Sequence, residues 1–440
     1  MKSLFATHTF CLRTALATLL LFGTSSAWAQ QEKKSLSLSL AEAQQYAMEH
    51  NYSVENASLD VKKAEAAKWE TFSTMLPQVK GSFDYSSMCG YKMSLSGMSI
   101  AMNPYGTFGL TASVAVTAQQ VMGTLMNNIA VKMSDISRRQ TEQETRSNVK
   151  NTYVSILVME ETLGLLDSSV ANLQRLLDIT VSSVRVGAAE QVDADKLAVQ
   201  VASLRSSSNT TRNTLALMYN TLILQLGAEV DAVIELTTPL AEIVNIENAV
   251  GLSSREFDLE KNYTYQMLQE NEKLSKKQLT LAWLAFAPTL SAYYQYSYKT
   301  YFGKDEGFNM TPPNMIGAGI SLPIFQSGSR IAAIKEAKIA HQETLNSKRQ
   351  AEDGLKVQYK QLCYDLVSAI EKYNIQDENL KVTKRVFDNV SEKYKFGRAS
   401  TLEVTNASSE IINAQTNYIQ AVMSVISAQV ALEDMQHSDN

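Results

Sequence analysis

The sequence predicts a mainly α-helical α+β protein in which a helix–strand–strand–helix repeat occurs twice. Three observations predict this fold class. Landmarks of the first half recur in the second half at a nearly constant offset, two long windows contain no proline, and four short segments alternate between apolar and polar residues. Proline breaks helices, so its absence allows very long ones, whereas alternation with a period of two is typical of β-strands.

Residues 1–29 have the pattern of a secretory signal peptide. A basic start is followed by a short apolar run at 15–22, and Ala27-Trp28-Ala29 fits the small-x-small cleavage site. The apolar run is too short to cross a bilayer as a helix. Because Gln30 stands where a lipoprotein needs cysteine, we expect an exported protein without a lipid anchor.

The composition of the mature chain argues against several functions. Cleavage would leave 38 basic residues (40 minus 2) against 45 acidic ones, a balance that disfavours nucleic acid as a partner. The sequence lacks a phosphate loop, a nucleophile elbow and a zinc signature, so we expect no enzyme, cofactor or metal centre. The remaining cysteines, Cys89 and Cys363, fall in different kinds of segment, and we expect no disulfide between them.

An internal duplication accounts for the recurring landmarks. Asn51-Tyr52 recurs 211 positions later as Asn262-Tyr263, and Pro77 recurs at the same offset as Pro288. A glycine turn followed after six residues by an acid also recurs, as Val186-Gly187 with Asp193 and as Phe396-Gly397 with Glu403. We therefore predict a first repeat in residues 30–240 and a second in residues 241–440.

Two proline-free windows, residues 105–238 and 324–440, predict very long helices. A helix from about Ser327 to Phe396 would reach about 100 Å at 1.5 Å per residue. Three apolar series repeat every seven residues in the last helix, which indicates contacts with more than one neighbour, as in a helical barrel. They are Ile411, Tyr418, Val425 and Leu432; Ile412, Ile419 and Ile426; and Ala407, Ala414, Ala421 and Ala428. A soluble elongated bundle would have the same stripes.

Four segments alternate as strands of a transmembrane barrel do, with one apolar face and one polar or small face. They are residues 78–87, 110–117, 290–298 and 316–324. Tyr298, Tyr301 and Phe302 would form an aromatic girdle at one membrane interface. A soluble half-buried sheet would alternate in the same way. Lipid does not tolerate open strand edges, so membrane strands would require an oligomer, and three copies would supply about twelve.

Several strings carry a resemblance to a known family. The family's order and spacing are matched by LSLAEAQQYAMEHN (38–51), by Leu76-Pro77 and Ala287-Pro288, by GISLPIFQSGSR (319–330) and by EKYKFGRASTLEV (392–404). From about Ser35 to Met435 the chain resembles the TolC-like outer membrane efflux proteins. It departs from them at Tyr52 and Tyr263, where the family usually has proline.

The resemblance implies a homotrimer in the outer membrane of a Gram-negative bacterium. A twelve-stranded β-barrel would contact lipid, and a long α-helical tunnel would cross the periplasm. The implied partners are a periplasmic adaptor protein and an inner-membrane transporter of the RND or ABC type. Such a chain would be the exit channel of a tripartite efflux or type I secretion system. The alternative is a secreted or periplasmic coiled-coil structural or assembly protein.

The resemblance assigns adaptor docking to the two glycine turns. Glycine ends a helix at little cost because it adopts positive φ, so a plain helix–turn–helix would have the same sequence. The docking candidates are Val186, Gly187 and Ala188 in the first turn and Phe396, Gly397 and Arg398 in the second.

The resemblance also assigns a periplasmic gate to Asp193, Glu403 and Tyr394. A ring of three carboxylates would attract cations, repel anions and titrate as a coupled set. Glu403 has a purely structural explanation as well, since Ser400-x-x-Glu403 is a capping box.

The gate sequence departs from the family at two positions. Ala399 stands where the family often has a basic residue, with Arg398 one position early, and Asn406 stands in place of a second acid. We therefore expect a constriction with a different hydrogen-bond pattern.

A sulfur-rich segment surrounds Cys89. Met88, Met93, Met98 and Met102 lie near it in the sequence, and soft sulfur ligands can bind Cu(I) or Ag(I). Methionine is also ordinary apolar filler, so the segment by itself does not predict a metal site.

Overall fold

The computed structural model describes residues 35–95, 98–101, 103–243, 246–302 and 312–436. The predicted signal peptide, residues 1–29, lies outside them. Long helices dominate the described chain, and strands from both halves meet in one antiparallel sheet. The predicted fold class, mainly helical with a duplicated repeat, is confirmed.

The first half contains six strands and four helices in its described part. In chain order they are β1 (Ser35–Leu38), α1 (Leu40–His50), α2 (Tyr52–Ser73), β2 (Gln78–Ser86), β3 (Lys92–Leu95), β4 (Met98–Ala101), β5 (Tyr105–Val116), α3 (Ala118–Arg185), α4 (Gln191–Leu226) and β6 (Val233–Leu236).

The second half begins with two short helices and a 3₁₀ turn before the repeat resumes. Its elements are α5 (Leu240–Ile243), α6 (Ile246–Ser253), the 3₁₀ turn (Leu259–Lys261), α7 (Tyr263–Leu284), β7 (Thr289–Tyr301), β8 (Asn314–Ser321), α8 (Ser329–Lys395) and α9 (Thr401–Gln436).

Equivalent helices of the two halves have matching lengths. Helices α2 and α7 both have 22 residues, α3 and α8 have 68 and 67, and α4 and α9 both have 36. The Asn-Tyr landmark marks the start of α2 and of α7. The side-chain oxygen of Asn51 accepts the Ser53 N–H at 2.7 Å, and that of Asn262 accepts the Tyr265 N–H at 3.2 Å. Each asparagine thus caps amide groups that a first helical turn leaves free.

The longest helices have the dimensions that the proline-free windows predict. Helix α8 runs from Ser329 to Lys395, within two residues of the predicted bounds, and at 1.5 Å per residue it is about 100 Å long. None of the helices in the described ranges is both long enough and apolar enough to cross a membrane.

The four-stranded sheet has the order β2-β5-β7-β8 and is antiparallel throughout. Strands β5 and β7 pair from Tyr105 with Tyr301 to Val116 with Leu290. Strand β5 therefore begins five residues before its predicted start. Pairing on both sides holds Gly106 in a strand, although glycine is a poor strand former by itself.

Strand β8 ends at Ser321, so its predicted continuation to Ile324 is wrong. Pro323 has no N–H to donate to a neighbouring strand. Its carbonyl instead accepts a hydrogen bond at 2.6 Å from the Arg330 guanidinium at the start of α8. The segment between β8 and α8 is irregular and ends in a turn at Ser327 and Gly328.

The register separates the sheet into a polar face and an apolar face, because directly paired residues share a face. The polar face carries Gln78, Lys80, Ser82, Asp84, Tyr105, Thr107, Thr111, Ser113, Ser291, Tyr293, Gln295, Ser297, Lys299, Tyr301 and Met315. The apolar face carries Val79, Phe83, Tyr85, Phe108, Leu110, Ala112, Val114, Leu290, Ala292, Tyr294, Tyr296, Tyr298, Ile316, Ala318 and Ile320.

Tyr301 does not belong to the predicted aromatic girdle. It lies on the polar face, where its ring centroid is 5.9 Å from that of Tyr105. Tyr298 is on the opposite face, since three residues along a strand reverse the side-chain direction. The ring of Phe302 lies 5.8 Å from that of Tyr85, an apolar-face residue.

The heptad stripes of α9 contact several helices, as predicted. Ile411 belongs to a cluster with α3, α4 and α8, and Leu432 packs with α6 and α8. Ile426 packs against Val154 and Val158 of α3. The stripes thus serve different neighbours along one helix.

A fully buried tyrosine connects α3 to the small parallel ribbon formed by β1 and β6. The Tyr153 hydroxyl donates to the Leu38 carbonyl and accepts the Thr238 N–H, both at 3.0 Å. This pairing satisfies two backbone groups at the ends of the ribbon.

Candidate functional site

The two long helical hairpins end in turns of the same geometry. In the first, Gly187 has a φ of +76°, and the Ala188 N–H donates to the Ser183 carbonyl at 2.8 Å. In the second, Gly397 has a φ of +68°, and the Arg398 N–H donates to the Lys393 carbonyl at 2.9 Å. These are Schellman motifs, in which a left-handed glycine lets the chain reverse and satisfies the last helical carbonyls.

The turns expose one large apolar side chain each, just before the glycine. Val186 is 80 % exposed and Phe396 is 76 % exposed. Ala188 and Arg398 are also exposed. All six residues predicted to dock an adaptor are thus accessible in the single chain.

Next to the turns, along the helices that lead to them, an apolar cluster holds the two hairpins side by side. It contains Leu166, Leu173 and Leu176 of α3, Leu197, Val201 and Leu204 of α4, Phe387 of α8, and Val404, Ala407 and Ile411 of α9. Burial of these side chains fixes the relative position of the turns, because apolar area removed from water is the main source of stability.

Tyr394 connects the hairpins at the end of this cluster that lies nearer the turns. Its hydroxyl lies 2.7 Å from the Thr180 hydroxyl of α3 and 3.2 Å from the Thr401 hydroxyl of α9. The Thr180 hydroxyl donates its proton to the Leu176 carbonyl at 2.8 Å. Tyr394 therefore donates to Thr180, since a threonine hydroxyl has only one proton.

Thr180 and Thr401 are absent from the sequence-based candidates, although a signal for them exists. Thr180 follows Leu166 and Leu173 at intervals of seven, and Thr401 follows Phe387 and Tyr394 at the same interval. A polar residue in an apolar heptad stripe near a helix end indicates a specific polar contact. Both threonines are buried.

Glu403 forms the capping box that the sequence predicts. Its carboxylate accepts the Ser400 N–H at 2.6 Å and the Ser400 hydroxyl at 3.1 Å, and the Glu403 N–H donates back to Ser400 Oγ at 3.2 Å. The Ser400 N–H, followed by its hydroxyl, lowers the pKa of Glu403. The carboxylate is exposed, so it stays ionised and accessible while it caps α9.

The other gate candidates lie on the same end of the hairpins. Asp193 is half-buried in the first turn of α4, and Asn406 is exposed in the second turn of α9. Within the described chain, Tyr394 is the gate candidate that hydrogen-bonds across to the other hairpin. A gating role for these residues stays a prediction.

The apolar face of the sheet forms a second candidate surface. Phe83, Phe108 and Tyr298 are directly paired in one row across three strands at the end remote from the helices. At the opposite end, where helices meet strands, a second set of exposed aromatic side chains occurs: Trp69, Phe72, Trp283 and Phe286. Two aromatic bands flanking an apolar belt are typical of barrel strands in a membrane.

The structure describes part of the sulfur-rich segment. Across the part of the chain that the structure describes, no three His, Cys, Asp or Glu side chains are grouped as metal ligands. Cys89 and Cys363 are both free thiols. Met102 lies outside the described residues, as does the side chain of Met98.

The sequence profile of the family described as "Outer membrane efflux protein" matches residues 43–228 and 259–435. Two relatives are similar over most of their length. The outer membrane efflux protein BepC of Brucella suis is 21 % identical over 376 residues, covering 82 % of this chain and 76 % of its own. The outer membrane protein TolC of Escherichia coli is 23 % identical over 390 residues, covering 82 % and 75 %.

Solved structures share the fold. The CusC channel has a TM-score of 0.75 at 17 % identity, with 90 % of this chain and 91 % of that chain covered. The CmeC outer membrane channel of Campylobacter jejuni has a TM-score of 0.74 at 15 % identity, with 91 % and 87 % covered. The family match decides against the alternative of a coiled-coil structural protein. The chain belongs to the outer membrane efflux protein family, and it is a transport protein of the outer membrane, not an enzyme.

Proposed function

We propose that three copies of this chain form the exit channel of a tripartite efflux or type I secretion system. The observation that carries the proposal is the four-stranded sheet, which has a polar face, an apolar face and two edge strands, β2 and β8, each with one side open. Edge strands cannot remain open in lipid. Three sheets joined edge to edge give twelve strands, with the apolar faces toward lipid and the polar faces toward a water-filled lumen.

The helical hairpins would extend this lumen through the periplasm. Helix α9 carries polar side chains between its apolar stripes, and α3 and α8 are long enough to cross a wide aqueous space. The exposed Val186 and Phe396 at the turns would dock a periplasmic adaptor that connects to an inner-membrane transporter of the RND or ABC type. Apolar residues presented on rigid turns suit an interface core.

Tyr394, Asp193, Glu403 and Asn406 would form the gate at the periplasmic entrance. The support for this assignment is their position near the two turns and the bond from Tyr394 to Thr180. The boundary between the two repeats at residues 240 and 241 also stays a prediction. The exported class, whether drug, metal ion or protein, would follow from the transporter.

The oligomer and the membrane location can be tested on the purified full chain. In mild detergent the protein should have three times the mass of the mature chain, and carbonate washing should leave it in the outer-membrane fraction. Insertion into planar bilayers should give discrete conductance steps. A monomer, or release by carbonate, would refute the channel.

Adaptor docking can be tested by photocrosslinking in cells. A crosslinker in place of Phe396 or Val186 should capture a periplasmic protein of defined mass. Val230 provides the control, since it is 86 % exposed but lies after α4, at the other end of the hairpin. Equal capture from Val230 and Phe396 would count against docking at the turns.

A further inference from the structure

Charged side chains occupy three positions in the described strands of the four-stranded sheet: Lys80, Asp84 and Lys299. The register places all three on the polar face. Lys80 lies near the helices, whereas Asp84 and Lys299 lie toward the opposite end, because α2 leads directly into β2 and α7 into β7. The far end of the polar face is therefore a separate charged zone.

Lys299 is held in this zone by two tyrosines. Its ammonium lies 3.7 Å from the ring centroid of Tyr105 and 5.1 Å from that of Tyr301. A cation over an aromatic ring is attracted by the negative face of the ring. Lys299 is half-buried by these contacts, so its ammonium has a defined position and a reduced hydration shell.

The ammonium of Lys299 has no carboxylate partner within 4.0 Å among the residues that the structure describes. Asp84 lies in the same row of the sheet, since Asp84 pairs with Thr107 and Thr107 pairs with Lys299. Two strand spacings separate the backbones of Asp84 and Lys299, about 10 Å. The lysine is thus oriented by aromatic rings, and the nearest acid in its row stands apart from it.

We propose that Lys299, Tyr105 and Tyr301 form a binding site for aromatic organic anions at the outer end of the channel. The site rests on the proposed function, in which the polar face lines the lumen. The ammonium would pair with a carboxylate or sulfonate group, and the tyrosine rings would stack against the aromatic body of the anion. Three copies would place three such sites at one level of the lumen.

Asp84 should weaken the binding of an anion beside Lys299. Its carboxylate lies at the same level as Lys299 and repels an anion that binds there. Replacing Asp84 by asparagine should therefore strengthen anion binding, whereas replacing Lys299 by glutamine should weaken it. Opposite responses would show that charge in this row acts on the anion, and the comparison with Lys80 locates the effect.

The test measures block of single channels in planar bilayers by 2-naphthalenesulfonate, with methanesulfonate as the anion that lacks a ring. In the wild type, 2-naphthalenesulfonate should block the current more strongly than methanesulfonate does. Lys299→Gln should weaken the naphthalenesulfonate block about fivefold or more. Lys80→Gln, which removes the same charge from the same face but far from Tyr105 and Tyr301, should change it less than about twofold.

Two further variants separate charge from stacking. Tyr105→Leu keeps the lysine, so it should weaken block by 2-naphthalenesulfonate while leaving block by methanesulfonate unchanged. Asp84→Asn should strengthen both. If Lys299→Gln does not assemble, the Tyr105→Leu result decides. Equal effects of Lys299→Gln and Lys80→Gln, or an unchanged response of Tyr105→Leu, would overturn the site. A wild type that forms no channel would instead refute the proposed function.

Discussion

The Tyr394 hydroxyl donates a hydrogen bond of 2.7 Å to the Thr180 hydroxyl, which joins the α8–α9 hairpin to α3. Above this contact the hairpins are held by buried leucines, valines and Phe387. A neutral hydrogen bond contributes about 1 kcal/mol net, whereas each buried large apolar side chain contributes about 1.5–3 kcal/mol. We therefore expect the hairpins to separate more easily beside the turns than at the buried cluster.

Replacing Tyr394 by phenylalanine should raise single-channel conductance. The change removes the bonds to Thr180 and Thr401 and keeps the packed ring, so the hairpin ends lose about 1 kcal/mol of mutual stabilisation. Tyr373→Phe is the matched control, because Tyr373 contacts Tyr418 between α8 and α9, away from the turns. Planar-bilayer recordings measure the single-channel conductance of both variants. Identical conductance in the two would remove Tyr394 from the gate.

Replacing Glu403 by glutamine should weaken block by multivalent cations such as hexamminecobalt. Glutamine can still accept the Ser400 N–H, so the cap of α9 is retained while the charge is lost. Ser400→Ala has the reverse effect, since it removes the capping hydroxyl and keeps the carboxylate. If Ser400→Ala weakens the block as much as Glu403→Gln does, Glu403 serves the helix and not the entrance.

The substitution Ile316→Lys should destabilise the sheet much more than Met315→Lys. Ile316 is 84 % exposed on the apolar face in the single chain and pairs with Tyr294 in the middle of β7. A charge at mid-membrane on a lipid-facing strand costs about 2–4 kcal/mol. Met315 lies on the polar face, so Met315→Lys should be tolerated. Denaturant midpoints in detergent and yields of membrane-inserted protein should both show the difference.

Replacing Gly227 by alanine should destabilise the protein by about 3 kcal/mol or more. Gly227 ends α4 with a φ of +70°, and an added Cβ would lie 2.1 Å from the His50 carbonyl oxygen. Gly164 offers the control, because it lies within α3 and an added Cβ meets no atom within 4 Å. Gly164→Ala should leave stability unchanged or raise it by up to about 1 kcal/mol. Guanidinium unfolding of the two variants in detergent tests the contrast.

Replacing Asp434 by asparagine should stabilise the protein at pH 7. Burial raises the pKa of the Asp434 carboxyl above its ordinary value of 3.8, so folding disfavours its ionised form. That penalty is absent below pH 3.8, grows as the pH rises to the folded-state pKa, and is constant above it. Asparagine can still accept hydrogen bonds from Ser147 and Gln143.

The stability difference between Asp434→Asn and the wild type should therefore shrink as the pH falls toward 3.8. Unfolding midpoints at several pH values measure it. The substitution Asp377→Asn provides a control on α8, since the Asp377 carboxylate pairs with Lys381 one helical turn away on an exposed surface. A stability gain in Asp434→Asn that does not depend on pH would contradict the assignment to charge burial.

Local features of the candidate site were predictable because they depend on residues close in sequence. The glycines at 187 and 397 end their helices as expected, and the Ser400–Glu403 capping box forms over three residues. The bond from Tyr394 to Thr180 was not predictable in the same way, because 214 residues separate the two. Only packing of the apolar cluster brings their hydroxyls together.

The sequence by itself determined the long helices through its proline-free windows and the duplication through landmarks at a nearly constant offset. Its periodicity determined the heptad stripes of α9 and the alternating strands, because a helix has 3.6 residues per turn and a strand repeats every two residues. Tertiary structure decided where β8 ends, that β5 pairs with β7, and that Tyr301 joins Tyr105 beside Lys299. Such choices depend on which distant segments meet and in which register. That information lies in the energy of the assembled sheet and hairpins, not in any single segment.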